Sequence, residues 1–392
     1  MLAERVEFLP ERDREVLAGM PAAAGVFLLR GEDASAEPYA TKTANLRRRL
    51  ERLLSAPEER SRRLNLRGRV RWIEYVRTGS DFESGFLLYR LMREHFPKKY
   101  ADRMRFRFAP LVKFHLENAY PRASVTTRLG RLASGENLGQ TLYYGPFPGR
   151  AAAEKFLNDS LDFFKMRRCV DDLHPDPAFP GCIYSEMKMC LAPCFKGCTD
   201  EEYASEVGRV RNYLDSRGQS LVRVLAAERE GAAQNLAFEE AAEIHARMEK
   251  LKPLLSVLPE IVGRIDRLAG LIVQPSAESG AVTLFLVEQG RICGPQTFAI
   301  QPAEHAKSQS MESRVELALA GLRSADGQGR PSLRESLETM EHLAILKRWY
   351  YRSSRVGEIF VADEKGQLPM RRVVRGIGRV WRGEKEEASP SS

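Results

Sequence analysis

The chain has no run of about 18 or more apolar residues, which excludes a membrane-spanning helix. It has little cysteine, six in 392 residues. Five of these lie between 169 and 198, and clustering of that kind in a cytosolic chain points to metal or cluster ligation before disulfides. The opening MLAERVEFLPERDREVL carries acids and lacks an apolar core, so no signal peptide is expected there. No internal repeat is found. Hydrophobic residues still make up 43%, enough to bury real cores and too many for a collagen-like or wholly disordered chain. The length suggests about two to four domains. A soluble, cytoplasmic, multidomain protein without a membrane partner is therefore the expectation.

What the chain does have is positive charge concentrated in one place. Lys and Arg number 61 against 53 Asp and Glu, a formal net charge of +8. Between residues 42 and 72 lie Lys42, Arg47, Arg48, Arg49, Arg52, Arg60, Arg62, Arg63, Arg67, Arg69 and Arg71, against Glu51, Glu58 and Glu59. That stretch alone carries an excess as large as the whole chain's. It reads either as a solvated basic helix or as a footprint for DNA or RNA. Arginine forks suit phosphate oxygens, and the concentration favours the polyanion.

Hydrophobic period divides the chain into five parts and predicts an α+β multidomain fold. In residues 1–110, GVFLLRG (25–31), PYAT (38–41) and VRWIEYVRT (70–78) read as strands. NLRRRLERLL (45–54) reads as a helix capped by Asn45, and FLLYRLMREHF (86–96) as a helix stopped by Pro97. Residues 111–200 hold YYGPFPG (143–149), a helix near 150–165 and the cysteine-rich segment. Residues 201–256 are helical, with AsnLeuAlaPheGluGlu marking the turn of a hairpin. Such a hairpin needs a partner, in this chain or another. Residues 257–365 read as a C-terminal α/β domain: a hairpin over 280–300 turning near Gln289-Gly290, a helix over 332–351 and a strand over 357–363. Residues 366–392 read as a basic, then polar, tail.

Cys169, Cys182, Cys190 and Cys194 are separated by gaps of twelve, seven and three residues. Four thiolates can close a tetrahedral zinc site or hold an iron–sulfur cluster, and the spacing does not separate the two. Cys198 is a fifth thiol that competes as a ligand, and Cys293 reads as a small core residue.

These residues together resemble the UvrC family, nucleases of bacterial nucleotide excision repair, and its shorter Cho-like members. GVF (25–27) stands where the family has Gly-Ile/Val-Tyr, and YATKTANLRRRL (39–50) where it has Tyr-Ile/Val-Gly-Lys-Ala-x-Asn-Leu-x-x-Arg. YYGPFPG is similar to the family's Tyr-Phe-Gly-Pro-Tyr-Pro run. RRC…PGCIY…MCLAPC (167–194) is similar to its cysteine region, and 221–251 to its UVR motif. The resemblance implies a small GIY-YIG-like sheet with flanking helices in 1–110 and a [4Fe-4S] cluster on Cys169, Cys182, Cys190 and Cys194, with Zn2+ the alternative. It also implies that the UVR hairpin pairs with UvrB through an apolar seam of Leu236, Phe238, Ala242, Ile244, Met248 and Leu251. Full-length members continue into an RNase H-like nuclease and a helix-hairpin-helix module. The 392 residues leave no room for these, so the second incision activity is expected to be absent.

Tyr39 matches the family's general-base tyrosine, and Lys42 and Arg49 match its phosphate-facing cations. Arg47, Arg48, Arg52, Arg62 and Arg63 would extend a DNA-binding face. Phe27 and Thr41 depart from the motif, and Leu53 falls where a further tyrosine usually sits. The metal-binding glutamate of the family falls on Leu88 or Tyr89 in ESGFLLYRLMR (83–93), and neither side chain ligates a hard cation. Glu83 is the nearest acid upstream. The expectation is a DNA-repair protein that binds damaged DNA with UvrB and whose nuclease is impaired. The alternatives are an active Cho-like endonuclease, which would use Mg2+ or Mn2+ for a single incision, and a non-enzymatic scaffold.

Overall fold

The computed structural model describes residues 2–33, 36–56, 63–130, 141–170, 172–301, 309–325 and 333–384. Arg60 and Arg62, with Glu58 and Glu59, fall outside them. The described residues form a mixed helical and sheet structure built on three small antiparallel sheets. No helix among them is long and apolar enough to cross a membrane.

The first sheet runs in the order β1 (Glu4–Glu7), β4 (Trp72–Arg77), β2 (Gly25–Arg30), β3 (Tyr39–Thr43). Period-2 alternation sends the residues of β2 to two separate cores. Phe27 and Leu29 join Ile73 and Tyr75 beneath α1 (Asp13–Gly19) and α2 (Leu46–Leu54). Val26, Leu28 and Ala40 pack on the other face against α3 (Asp81–His95). In α2, Leu46, Leu50, Leu53 and Leu54 repeat at helical spacing and are buried. The Asn45 side chain caps this helix, accepting the Arg48 amide at 2.9 Å.

Helix α3 starts five residues before the predicted onset. Ser80 accepts the Glu83 amide at 3.1 Å and so opens the first turn. The helix is buried on two sides. Leu87, Leu91 and Met92 face the first sheet, while Phe82, Phe86 and Tyr89 enter the C-terminal core. Full burial of each such aromatic contributes about 1.5–3 kcal/mol. Helix α4 (Tyr100–Met104) follows.

The second sheet runs β6 (Arg122–Thr126), β5 (Leu111–His115), β7 (Leu142–Gly145), β8 (Gly263–Arg264). One continuous core joins this sheet to α5 (Arg150–Leu161), α7 (Asp200–Asp215), α8 (Gln219–Gln234) and α9 (Phe238–Ser256). The short α6 (Ile183–Glu186) lies in the cysteine segment. The helical hairpin α8–α9 is therefore packed within the chain, against α5 and α7 of this middle core.

The third sheet runs β11 (Arg291–Ala299), β10 (Ala281–Glu288), β9 (Gly270–Pro275), β12 (Glu358–Val361). All its pairings are antiparallel. This corrects the expected α/β class for 257–365, because among its described residues there is no parallel βαβ crossover and the antiparallel sheet belongs to the α+β class. Leu271, Val273, Leu284 and Leu286 face α10 (Met311–Ala325) and α12 (Met370–Arg382), while Ile272, Phe285 and Val287 face α11 (Leu333–Tyr350) and α3. The basic stretch after residue 365 is thus no loose tail, since residues 370–382 form α12 and bury Val373, Ile377 and Val380.

Candidate functional site

Strand β3 and helix α2 bring Tyr39 and Arg49 together. The Arg49 guanidinium donates to the Tyr39 hydroxyl at 3.0 Å. The Phe27 ring lies 6.3 Å from that of Tyr39 on the same face of the sheet. Lys42 turns the other way, because Ala40 and Lys42 alternate with Tyr39 along β3. Its ammonium pairs with Asp81 at the start of α3. A methyl group added at Gly85 would stand 3.8 Å from the same nitrogen, so Lys42 reaches the body of α3. The three matched residues therefore divide into a Tyr39–Arg49 pair and a Lys42–Asp81 pair on opposite sides of the strand.

Asp81 also accepts from Arg352 of the C-terminal domain at 2.9 Å. Burial opposes its ionisation, but the Lys42 and Arg352 partners outweigh burial and hold the carboxyl below its usual range. An acid neutralised by two cations is a poor ligand for a divalent metal. Leu88 packs on the same side of the sheet as Ala40. Tyr89 points away, donating to Glu341 at 2.7 Å and accepting from Arg93 at 2.9 Å. Glu83 lies at the rim of a cavity of about 180 Å³ between the first and third sheets, lined also by Glu4, Arg77 and Glu278. Burial pushes Glu83 up to about 7, the Gly79 amide at 2.7 Å works against that, and the Glu278 charge adds to it.

The arginine face is partly engaged. Arg47 donates to the Met20 carbonyl at 2.7 Å, and Arg67 pairs with Asp13 at 2.8 Å. Arg48 and Arg52, one turn apart on α2, are exposed, and so is Arg63. Arg62 lies outside the described residues.

The cysteine segment is irregular and fastened at both ends. Leu191 donates to the Lys165 carbonyl at 2.9 Å, and Asp176 to the Cys194 carbonyl at 2.8 Å. Lys188, Ala192 and Lys196, near Cys190 and Cys194, hold left-handed backbone at φ 58°, 58° and 59°. Arg167 is buried, donating to the Tyr120 carbonyl at 2.9 Å and to Cys169 Sγ at 3.4 Å. Burial pushes the Cys190 thiol up to about 11, and the charges of Cys169, Cys194 and Cys182 add to that. These four thiols thus share one electrostatic neighbourhood. Such an all-sulfur donor set fits zinc or an iron–sulfur cluster and does not fit a hard cation. Among the described residues no three His, Cys, Asp or Glu side chains stand close enough to form a metal-holding group. Cys198 lies near Glu202, Asp200 and Cys194, and packs on the middle core.

In the hairpin, Leu236 and Phe238 are 72% and 68% exposed at the turn. Ile244 and Leu251 are buried in the middle core, and Met248 packs against it half-buried. The expected seam therefore splits into an exposed tip and a buried base. Ala242 is exposed. The sequence reading missed the cationic face of α12, although its arginines at helical spacing were a visible signal.

The fold and these residues define an α+β protein whose middle unit carries a fastened four-cysteine segment beside an arginine-rich N-terminal domain. Residues 111–213 match the family model of the UvrC/Cho excinuclease middle domain. The chain is 27% identical over 286 residues to the UvrABC system protein C of Carboxydothermus hydrogenoformans, a match that covers 72% of this chain and 45% of that protein. It is 28% identical over 281 residues to that of Rickettsia bellii, covering 71% and 42%. With that of Alcanivorax borkumensis it shares 24% over 344 residues, covering 85% and 55%. The chain thus carries a region that matches the UvrC/Cho middle domain and is similar over most of its length to UvrABC system protein C. It spans about half the length of the curated relatives it matches. No solved structure matches it.

Proposed function

We propose that this protein acts in nucleotide excision repair as a UvrC-like DNA-binding component whose N-terminal GIY-YIG-like site does not cleave. The reading rests on one observation. Among the described residues, the carboxylate beside Lys42 is Asp81, already neutralised by Arg352, and the Tyr39 hydroxyl has Arg49 as its partner. Phosphodiester hydrolysis needs a metal to hold the phosphate and an activated water. With Leu88 and Tyr89 at the acid's place, the metal has no strong oxygen ligand there. What this face keeps is phosphate affinity: Arg48, Arg52 and Arg63 serve as a DNA platform, and Arg49 orients the Tyr39 hydroxyl.

The hairpin tip, Leu236 and Phe238, is the surface offered to UvrB. Cys169, Cys182, Cys190 and Cys194 would hold a [4Fe-4S] cluster or zinc. When bound, that group would supply a cross-link that orders the irregular segment. Arg167 holds the Cys169 sulfur in place, and Leu191 and Asp176 fasten the loop ends.

The test is an incision assay on a lesion-bearing duplex with Mg2+ or Mn2+, with and without UvrB. The expected result is binding without a nick. A metal-dependent nick that disappears in Tyr39→Phe overturns the reading in favour of a single-incision endonuclease. DNA binding that is absent or insensitive to salt favours the scaffold instead.

A further inference from the structure

We propose that the exposed stripe of α12, formed by Arg371, Arg375 and Arg382 with Trp381 beside it, is a second docking surface for a DNA strand. It deepens the DNA-binding reading above and rests on that reading for the choice of DNA as the polyanion.

Helix α12 contains Arg371, Arg372, Arg375, Arg379 and Arg382 and no acid. Its apolar face is already committed to the fold. Val373, Ile377 and Val380 are buried against the third sheet. A methyl group at Gly376 would collide with the Phe360 ring, so the helix lies flat on β12. An amphipathic helix binds a lipid surface by burying its apolar face, and here that face is not available. Charge and one indole are what the helix presents to solvent.

The arginines differ in how they are held. Arg379 makes hydrogen bonds of 2.8 and 2.5 Å to the buried Glu358, and Arg372 lies 3.8 Å from Glu260. These two are occupied on one flank. Arg382 pairs with Glu384 at 2.6 Å, an exposed ion pair that a phosphate can displace. Arg375 Nε donates to the Arg371 carbonyl at 3.3 Å. Among the described residues no carboxylate is paired with Arg371 or Arg375, and both are exposed.

The stripe has the dimensions of a strand. A rise of 1.5 Å per residue sets Arg371 and Arg375 about 6 Å apart and Arg382 about 10 Å further. That length matches about five steps of 3.4 Å along the axis of a duplex. Gly378 falls on the same stripe. The nearest atom to a methyl group there is Arg382 Nη1 at 3.4 Å, so packing does not require glycine at this position. Glycine is a poor helix former, and what it provides is bare backbone that a phosphate can approach closely. Trp381, 48% exposed, offers a ring face on which an unpaired base can stack.

The experiment measures binding of labelled duplex, bubble-containing duplex and single strand to the full chain across a salt series. The variants are Arg371→Ala/Arg375→Ala, Trp381→Ala and, for comparison, Arg48→Ala/Arg52→Ala. The α12 double variant is expected to bind about tenfold more weakly, with its log–log salt slope reduced by about 2. Trp381→Ala is expected to lose affinity for the bubble and single strand while keeping duplex affinity. Unchanged affinity and slope in the α12 double variant, with loss in the α2 variant, would overturn this inference and leave the DNA reading standing. Loss in the α12 variant alone would uphold it and remove α2 from the DNA platform. No salt-dependent binding by the wild type would sink both. Displacement of the strand by polyglutamate as readily as by DNA would also overturn the assignment to phosphate.

Discussion

The Tyr89 hydroxyl donates to Glu341 at 2.7 Å, tying α3 to α11 at the helical turn where the UvrC resemblance puts a metal-binding acid. Tyr100 donates to the other Glu341 oxygen, also at 2.7 Å. Glu341 is 1% exposed, and each of its oxygens accepts one of these two hydroxyls. At this turn α3 serves to join domains.

Removing that hydroxyl should loosen the junction. Tyr89→Phe keeps the ring packing and leaves Glu341 with a single hydroxyl donor. The expected loss is about 1–3 kcal/mol, the usual cost of leaving a buried acceptor without its donor. Urea denaturation measures it. An unchanged midpoint would mean that Tyr100 and Arg93 suffice.

Glu83 gives stability a dependence on pH. Its folded pKa of about 7 lies above the ordinary 4.5, so the folded state binds the proton more tightly. The group's contribution is therefore fully present below about pH 4.5 and is lost as pH rises through 7. The span corresponds to about 3 kcal/mol. Glu83→Gln cannot ionise and keeps an oxygen for the Gly79 amide. The variant should gain on wild type between pH 5 and pH 8, as read from paired melting curves. Parallel melting temperatures across that range would refute the assignment.

The two ends of the hairpin seam should respond oppositely. Phe238→Ala, at an exposed site, is expected to change stability by less than about 0.5 kcal/mol and to lose retention of UvrB in a pull-down. Ile244→Ala opens the middle core and should cost about 2–4 kcal/mol. Equal retention of UvrB by wild type and Phe238→Ala would remove the tip from the interface.

Gly79 of the N-terminal domain packs directly against the Pro275 backbone of the third sheet. A methyl group there would collide with the Pro275 carbonyl oxygen, a backbone atom that cannot swing aside. Gly79→Ala should cost at least about 2 kcal/mol and separate the two domains, which limited proteolysis would detect as cleavage between them. A fully resistant, equally stable variant would contradict the packing.

Local patterns carried much of the fold. The leucines of α2 with Asn45 before them, the alternation of 70–78, and the Gln289-Gly290 turn between β10 and β11 are all decided by neighbours in sequence. What was not legible depended on distant partners. Strand β8 is two residues long and exists because Tyr144 and Gly145 bond to it across the chain. The early turns of α3 read weakly because the helix is apolar on two faces, which blurs a single stripe. Helix α12 reads as tail in the sequence because its arginines hide a four-residue apolar face that has meaning only beneath a sheet.

The candidate site was legible in identity and not in arrangement. Tyr39, Lys42 and Arg49 could be aligned by motif, but their spacing did not reveal that Lys42 leaves the other two for Asp81. That partition follows from strand alternation together with an arginine more than two hundred residues away, Arg352.

The pairing of β8 with β7 has a practical corollary for dissecting the chain. Arg264 bonds to Asp266 and to Asp215, while Tyr144 holds the other oxygen of Asp215. A fragment cut near residue 213 would lose this clasp, bare the outer edge of β7 and strip Leu221, Leu225 and Val262 from their hollow. Recombinant work on the cysteine segment should therefore keep the chain intact to at least Asp266, or it will study a molecule prone to stick to its own copies.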